Sequence, residues 1–359
     1  MKVLTVVGAR PQFIKAAPLS QALRQNHQEI LVHTGQHYDH GMSDIFFQEM
    51  GIPQPDYNLG VGSGSHGRQT AAMLDGLEQL ILQEKPDWLL VYGDTNSTLA
   101  AALAAAKLHI PVAHVEAGLR SFDKRMPEEL NRILTDHVST LLFCPTTTAV
   151  TNLKQEGLTA GVHIVGDIMY DALKTFLPRA PSQQLLDQYQ LTPNEYILAT
   201  LHRASNTDNR DRLQQALTCL GQSPWPIILP LHPRTKAALE RHQLSLPDNV
   251  TPIPPASYLH MLALMQNSRF IMTDSGGVQK EAFFLAIPCI TLRPHTEWVE
   301  TVATGWNTLT DIDPTKVAHA LNQPPPSTPP PPIFGDGTTA QQIVHHLTTS
   351  HPSTTSKLS

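Results

Sequence analysis

Cysteine is scarce in this chain: three in 359 residues, Cys144, Cys219 and Cys289, odd in number and far apart. No CxxC pair exists, so neither a disulfide framework nor a zinc ribbon is readable. Cys144 and Cys289 fall within apolar strand-like runs, where a buried reduced thiol is expected. The net charge of -6 comes without any long Lys/Arg run, which argues against a nucleic-acid reader. No apolar run reaches the length of a membrane helix, so no membrane partner is expected. The first residues enter a strand without the pattern of a secretory leader, and a cytoplasmic protein is the expectation. No GxGxxG follows the first strand, which leaves a nicotinamide-binding domain poorly supported. The stretch 60–67 (GVGSGSHG) lacks the P-loop lysine and reads as a flexible loop.

What the sequence does have is polar residues at the carboxyl ends of predicted strands. Residues 3–8 run into Arg10 and Lys15, 88–93 into Asp94, and 112–115 into Glu116. Residues 196–201 run into His202, and 269–273 into Asp274, Ser275, Gly276 and Gly277. Open parallel sheets bind ligands outside the carboxyl ends of their strands, so five such ends describe an enzyme site. Length and alternation of strand and helix predict an α/β protein of two Rossmann-like doubly wound domains facing one cleft. The first domain is expected over 1–167 with a returning helix at about 338–350, and the second over 168–337. Helix 68–84 is expected to bury Leu74, Leu77, Ile81 and Leu82, and Pro18 to kink the helix after the first strand. The proline-rich 323–332 reads as an extended surface crossover, the segment 166–194 as hinge and connecting helix, and 351–359 as a disordered tail.

Asp274 to Gly277 admits two readings. Glycines opening a helix let a phosphate approach free amides at the positive end of the dipole. Alternatively Ser275 is an ordinary N-cap. Beside the other polar strand ends, diphosphate binding is favoured. Asp94 and Glu116, at buried strand ends, suit proton transfer next to an ionising leaving group. Arg120, Arg132 and Glu129 are expected in structural ion pairs, and His202 in function. His33, His37, Asp39 and His40 cluster within eight positions, but Gly35 and Gly41 mark a loop and no ligand spacing is present. No metal or other cofactor is expected.

These motifs together resemble the non-hydrolysing UDP-N-acetylglucosamine 2-epimerases over nearly the whole chain. The matching residues are Gly8-Ala9-Arg10-Pro11 with Lys15, Gly93-Asp94-Thr95, and 114–120 (HVEAGLR). Further matches are 127–132 (PEELNR), 200–203 (TLHR), 273–277 (TDSGG) with Gln279 and Glu281, and Gly335-Asp336-Gly337. The resemblance implies the fold of the B-type glycosyltransferases, usually in a homodimer. It implies loss of the C2 proton as UDP leaves C1, giving a 2-acetamidoglycal, then re-addition of UDP, with neither nicotinamide nor metal. Carried over, Asp94, Glu116, Glu128 and His202 form the acid–base set, and Arg10 and Lys15 hold substrate and diphosphate. Ser275, Gly276 and Gly277 bind phosphate, and Glu281 the ribose hydroxyls.

There are departures. Trp298 stands where many members have an arginine, and Gln36-His37-Tyr38-Asp39 continues differently from the pattern linked to allosteric nucleotide-sugar binding. Several stretches look more like the branch acting on the 2,3-diacetamido glucuronic acid nucleotide, for which Lys124 or Arg125 would meet the substrate carboxylate. A glycosyltransferase of the same shape would need an acceptor groove, and a UDP-sugar sensor would have no use for buried carboxylates beside the sugar.

Overall fold

A computed structural model describes residues 1–36 and 50–350, apart from the Arg10 side chain. Residues 37–49, and the tail expected at 351–359, lie outside the described residues. The chain divides into two units: Met1–Thr175 together with the chain from Pro332 onward, and Phe176–Pro331. The first boundary lies later than the expected 167, because helix Ile168–Phe176 is tied to the first unit. Its Asp171 carboxylate accepts the amides of Thr339 (3.2 Å) and Ala340 (2.8 Å), and so caps the last helix, Thr339–Thr349.

The first unit holds seven parallel strands: β1 (Lys2–Val7), β2 (Gln28–His33), β3 (Tyr57–Asn58), β4 (Trp88–Tyr92), β5 (Val112–Val115), β6 (Leu141–Cys144) and β7 (Val162–Ile164). They lie in the order β3-β2-β1-β4-β5-β6-β7. The second unit has β8 (Ile197–Thr200), β9 (Ile227–Pro230), β10 (Val250–Ile253), β11 (Phe270–Thr273), β12 (Cys289–Thr291) and β13 (Asn307–Leu309), ordered β10-β9-β8-β11-β12-β13. Both are doubly wound sheets of one plan, and the winding reverses between β1 and β4 and again between β8 and β11. Central strands such as β4 (WLLVY) are buried at every position, as strands covered by helices on both faces must be.

The helices follow from their small and apolar faces. Ala100, Ala101, Ala102, Ala104 and Ala105 of helix Asn96–Lys107 are fully buried, and their lack of bulk lets it pack closely on the sheet. Helix His66–Glu84 buries Leu77 and Ile81 as expected, but Met73 and Leu80 complete the face in place of Leu74 and Leu82, and Leu82 is half exposed. An i, i+4, i+7, i+8 stripe centred on Leu77 cannot also bury Leu82, which points elsewhere. Helix Arg10–Leu23 runs on through Pro18. Its amino end is closed by Gln12, whose Oε1 accepts the amides of Gly8 (2.8 Å) and Ala9 (3.1 Å). The three cysteines are buried and free, and burial pushes each thiol up to about 12. The proline-rich stretch 323–332 carries neither helix nor strand. Among the described residues, no helix is long and apolar enough to cross a membrane.

On the last helix, His346 stacks on His163 of β7 with ring centroids 3.9 Å apart, and Phe143 lies 6.0 Å away. Burial lowers the pKa of both rings, and for His346 the neighbouring His163 and His345 lower it further. The unfolded chain therefore takes up protons first. The stack's contribution to stability is complete above the ordinary histidine value of about 6.5 and is lost as pH falls toward the lowered folded values. Amide exchange over residues 339–349, corrected for intrinsic rates, should show weaker protection at pH 5.5 than at pH 7.5. His346→Phe keeps a stacked ring and leaves only His163 to titrate, so it should reduce the difference; equal protection in the native chain at both pH values would refute this pH dependence.

Candidate active site

At the β1/β4 reversal three loops bring charge together. Lys15, on the helix after β1, forms a largely buried ion pair with Glu116 at the end of β5. Gly93 makes the approach possible: with φ at +60°, its missing Cβ would stand 3.3 Å from Lys15 Nζ and 3.5 Å from Glu116 Oε2. Glu116 itself has φ at +72°, a left-handed conformation that costs a residue with a side chain roughly 1–3 kcal/mol and clusters at functional sites. Asp94, at the end of β4, pairs with Arg132 and keeps a partly exposed carboxylate. Its carbonyl accepts from Asn131 Nδ2 at 2.9 Å.

Asn131 and Arg132 both lie on helix Pro127–Val138, whose first turn carries Glu128 and Glu129. Acidic groups suit that end of the dipole. Glu128 stands one turn before Asn131 and Arg132, on the helix face that serves the Asp94 loop. Glu129 does different work: it accepts the amides of Ser121 (2.9 Å) and Phe122 (2.8 Å) and pairs with Arg132 at 2.8 Å. Arg132 forms the ion pairs expected of it, with Glu129 and, through the same guanidinium, with Asp94. Arg120 is structural in full, bonded through Nε and Nη2 to Glu156 (2.7 Å each) and through Nη1 to Asp136 (2.7 Å).

At the β8/β11 reversal, Asp274 is completely buried and accepts the amides of His202 (3.0 Å) and Arg203 (2.9 Å). The carboxylate shapes the His202 turn. The His202 ring lies 3.4 Å from Asp274 through Nδ1 and stacks on His232 at 5.2 Å, while remaining partly exposed. Ser275 occupies the N-cap position of helix Gly276–Phe284 but makes no side-chain cap bond. The plain capping reading therefore lacks its hydrogen bond, and the amides of a helix's first turn have no partners within the helix. Glu281 is buried on the same helix. Gln279 Oε1 accepts from Thr296 Oγ1 (2.7 Å) and Asn307 Nδ2 (3.1 Å), tying the helix to the 296–307 segment. The Lys280 ammonium sits 4.0 Å from the centre of the Trp298 ring.

The structure groups Lys15, Asp94, Glu116 and Glu128 in one unit and His202, Ser275, Gly276, Gly277 and Glu281 in the other. Arg10 opens its helix, its side chain outside the described residues. Lys124 and Arg125 join neither group. Arg125 is 90 % exposed and bonded to Asp123, and Lys124 lines a recess of about 550 Å³ with Arg120, Phe122 and His137. Of the histidine cluster, His33 is buried and stacked on Phe13 at 5.2 Å, while His37, Asp39 and His40 lie outside the described residues. Sequence reasoning missed Asn131, His232 and the Lys280–Trp298 pair. Asn131 carried a signal, one helical turn after Glu128, and Trp298 stood out as a departure from the family pattern.

A family model described as UDP-N-acetylglucosamine 2-epimerase matches residues 21–348. A UDP-N-acetylglucosamine 2-epimerase homolog of Methanococcus maripaludis is 53% identical over 329 residues, covering 90% of this chain and 92% of its own. The UDP-2,3-diacetamido-2,3-dideoxy-D-glucuronate 2-epimerase of Pseudomonas aeruginosa is 54% identical over 317 residues, covering 86% of this chain and 88% of its own. The crystal structure of the Methanocaldococcus jannaschii UDP-GlcNAc 2-epimerase in complex with UDP-GlcNAc and UDP superposes with a TM-score of 0.90 at 43% identity, covering 98% of this chain and 100% of that one. With its two parallel sheets of the B-type glycosyltransferase kind and this similarity along almost its whole length, the chain belongs to the UDP-N-acetylglucosamine 2-epimerase family, whose members are isomerases.

Proposed function

We propose that this epimerase interconverts UDP-N-acetylglucosamine and UDP-N-acetylmannosamine without nicotinamide or metal. A carboxylate removes the C2 proton, the C1–C2 double bond forms, and the C1–oxygen bond breaks with its electron pair going to UDP. The 2-acetamidoglycal then takes UDP back at C1 while a proton returns to the opposite face of C2. The observation that carries this reading is the pairing of two strand-end carboxylates with cations, Glu116 with Lys15 and Asp94 with Arg132. Asp94, Glu116, Glu128 and His202 are the acid–base set, and Arg10 and Lys15 serve substrate and diphosphate. Ser275, Gly276 and Gly277 offer amides to the phosphates, which a helix amino end favours, and Glu281 offers a carboxylate to the ribose. A homodimer in the cytoplasm, supplying a surface-polysaccharide precursor, is the setting that fits.

A second reading has the 2,3-diacetamido glucuronic acid nucleotide as substrate. Two observations favour it: the 54% identity to an epimerase named for that nucleotide, and Trp298 in place of the family arginine. Arg125, bound to Asp123 and pointing to water, is poorly prepared to receive a buried carboxylate.

Incubation with either UDP-sugar in deuterated water tests the chemistry. The epimerised product should carry deuterium at C2, and added NAD or chelator should change nothing. Product that keeps its original C2 hydrogen would end the mechanism, and turnover of the uronic acid nucleotide alone would select the second reading. Asp94→Asn and Glu116→Gln keep shape but lose proton affinity, so turnover should fall by roughly two to four orders of magnitude with UDP affinity nearly unchanged. A variant with near-normal turnover removes that residue from the acid–base set. On the neutral sugar, Arg125→Ala should stay within about tenfold of the native rate; a larger loss would place Arg125 at the substrate.

A further inference from the structure

Helix Pro127–Val138 carries a carboxylate that the chemistry above does not use. Asp136 is completely buried. Its Oδ2 accepts from the Gly118 amide (3.2 Å) and from Arg120 Nη1 (2.7 Å), and its Oδ1 lies 2.7 Å from His114 Nδ1. Those three partners stand two residues before, two after and four after Glu116. Glu116 is left-handed, with φ at +72°, and such a residue persists only where its surroundings over-determine it. Gly118 is left-handed as well, with φ at +80°, and a Cβ there would meet the Ala149 carbonyl at 2.5 Å. The 114–120 turn therefore has few ways to rearrange while Asp136 holds both of its flanks.

The second face of His114 extends the reach. Its Nε2 donates to the Gly93 carbonyl at 2.7 Å, immediately before Asp94. We propose that Asp136 is the positioning residue for both strand-end carboxylates, acting on Glu116 through the 114–120 turn and on Asp94 through His114 and Gly93. Burial alone would raise the Asp136 pKa, but hydrogen bonds and charge from His114 and Arg120 outweigh it and hold the carboxyl below the usual range. The inference rests on the acid–base reading of Asp94 and Glu116.

Asp136→Asn preserves shape, and Arg120 keeps its two bonds to Glu156, so the guanidinium is not stranded. A displacement of about 1 Å in a reacting group costs on the order of a hundredfold. In the full-length variant, kcat for C2 exchange should fall by about that factor, while KM and the UDP dissociation constant from calorimetry stay within about twofold. A crystal structure of the variant should show Glu116 out of the left-handed region or parted from Lys15. His114→Gln can still donate to the Gly93 carbonyl and should lose less, about tenfold. Turnover of Asp136→Asn within about threefold of native, or Glu116 unmoved in its crystal structure, overturns the proposal. Should Asp136→Asn not fold, His114→Gln decides, with near-native turnover as the refuting result. A native protein that exchanges neither UDP-sugar ends the functional reading alone, since the variant's crystal structure still answers where Glu116 stands.

Discussion

The winding of a parallel sheet decides where this chain can place chemistry. Crossovers that step outward in one direction from β1 and in the other from β4 leave the carboxyl ends between those two strands uncovered, and the same holds between β8 and β11. Every residue assigned to the reaction hangs from a segment that leaves one of these openings or the strand beside it. Lys15 lies on the helix after β1, Asp94 follows β4, Glu116 follows β5, His202 follows β8, and the Ser275 turn follows β11. Strands buried throughout their length keep those loops in register, because slipping any of them would pull an apolar side chain out of the core.

Electrostatics then restricts what the openings can contain. A charge left alone in a buried site is expensive, and removing one partner of a buried pair typically costs about 3–5 kcal/mol. The first unit answers with shared partners: Arg132 serves Glu129 and Asp94, and Asp136 serves His114, Gly118 and Arg120. Sharing couples the sites, so the loop that holds Asp94 and the turn that holds Glu116 are set by the same helix. The more exposed end of this network, where Asp94 and Glu128 retain contact with water, is where a substrate can compete for a charge.

Much of this was legible in the sequence, and what was not has a physical reason. Short apolar runs bounded by turn residues, such as 88–92 (WLLVY) between Pro86 and Gly93, read as buried strands. The strands that escaped notice are short edge elements: β3 has two residues, β7 is half exposed, β13 has three residues, and β10 contains Pro252, a residue that ordinarily argues against a central strand. The acidic strand ends could be named because position alone marks them. Their partners could not, since Arg132 reaches Asp94 across 38 positions and nothing local announces it. Asp274 illustrates the limit from the other side. As a polar strand end it looked like a candidate for chemistry, and it instead spends its carboxylate on the His202 turn.

The Trp298 departure is a matter of the same accounting. Losing an arginine next to a helix amino end would ordinarily weaken its hold on an anion. Here the Lys280 ammonium lies 4.0 Å beneath the indole ring, close enough for a cation–π contact of about 0.5–2 kcal/mol. A positive charge thus remains beside helix Gly276–Phe284, moved from the loop onto the helix and covered by a flat apolar face. Nearby, Arg293 and Glu297 close on each other through two bonds of 3.2 and 3.0 Å, which keeps the Glu297 carboxylate from opposing an incoming anion. The exchange of arginine for tryptophan therefore alters the shape and wetness of the wall beside Gly276, whose missing Cβ would stand 3.3 Å from the indole Nε1, more than it alters the local charge.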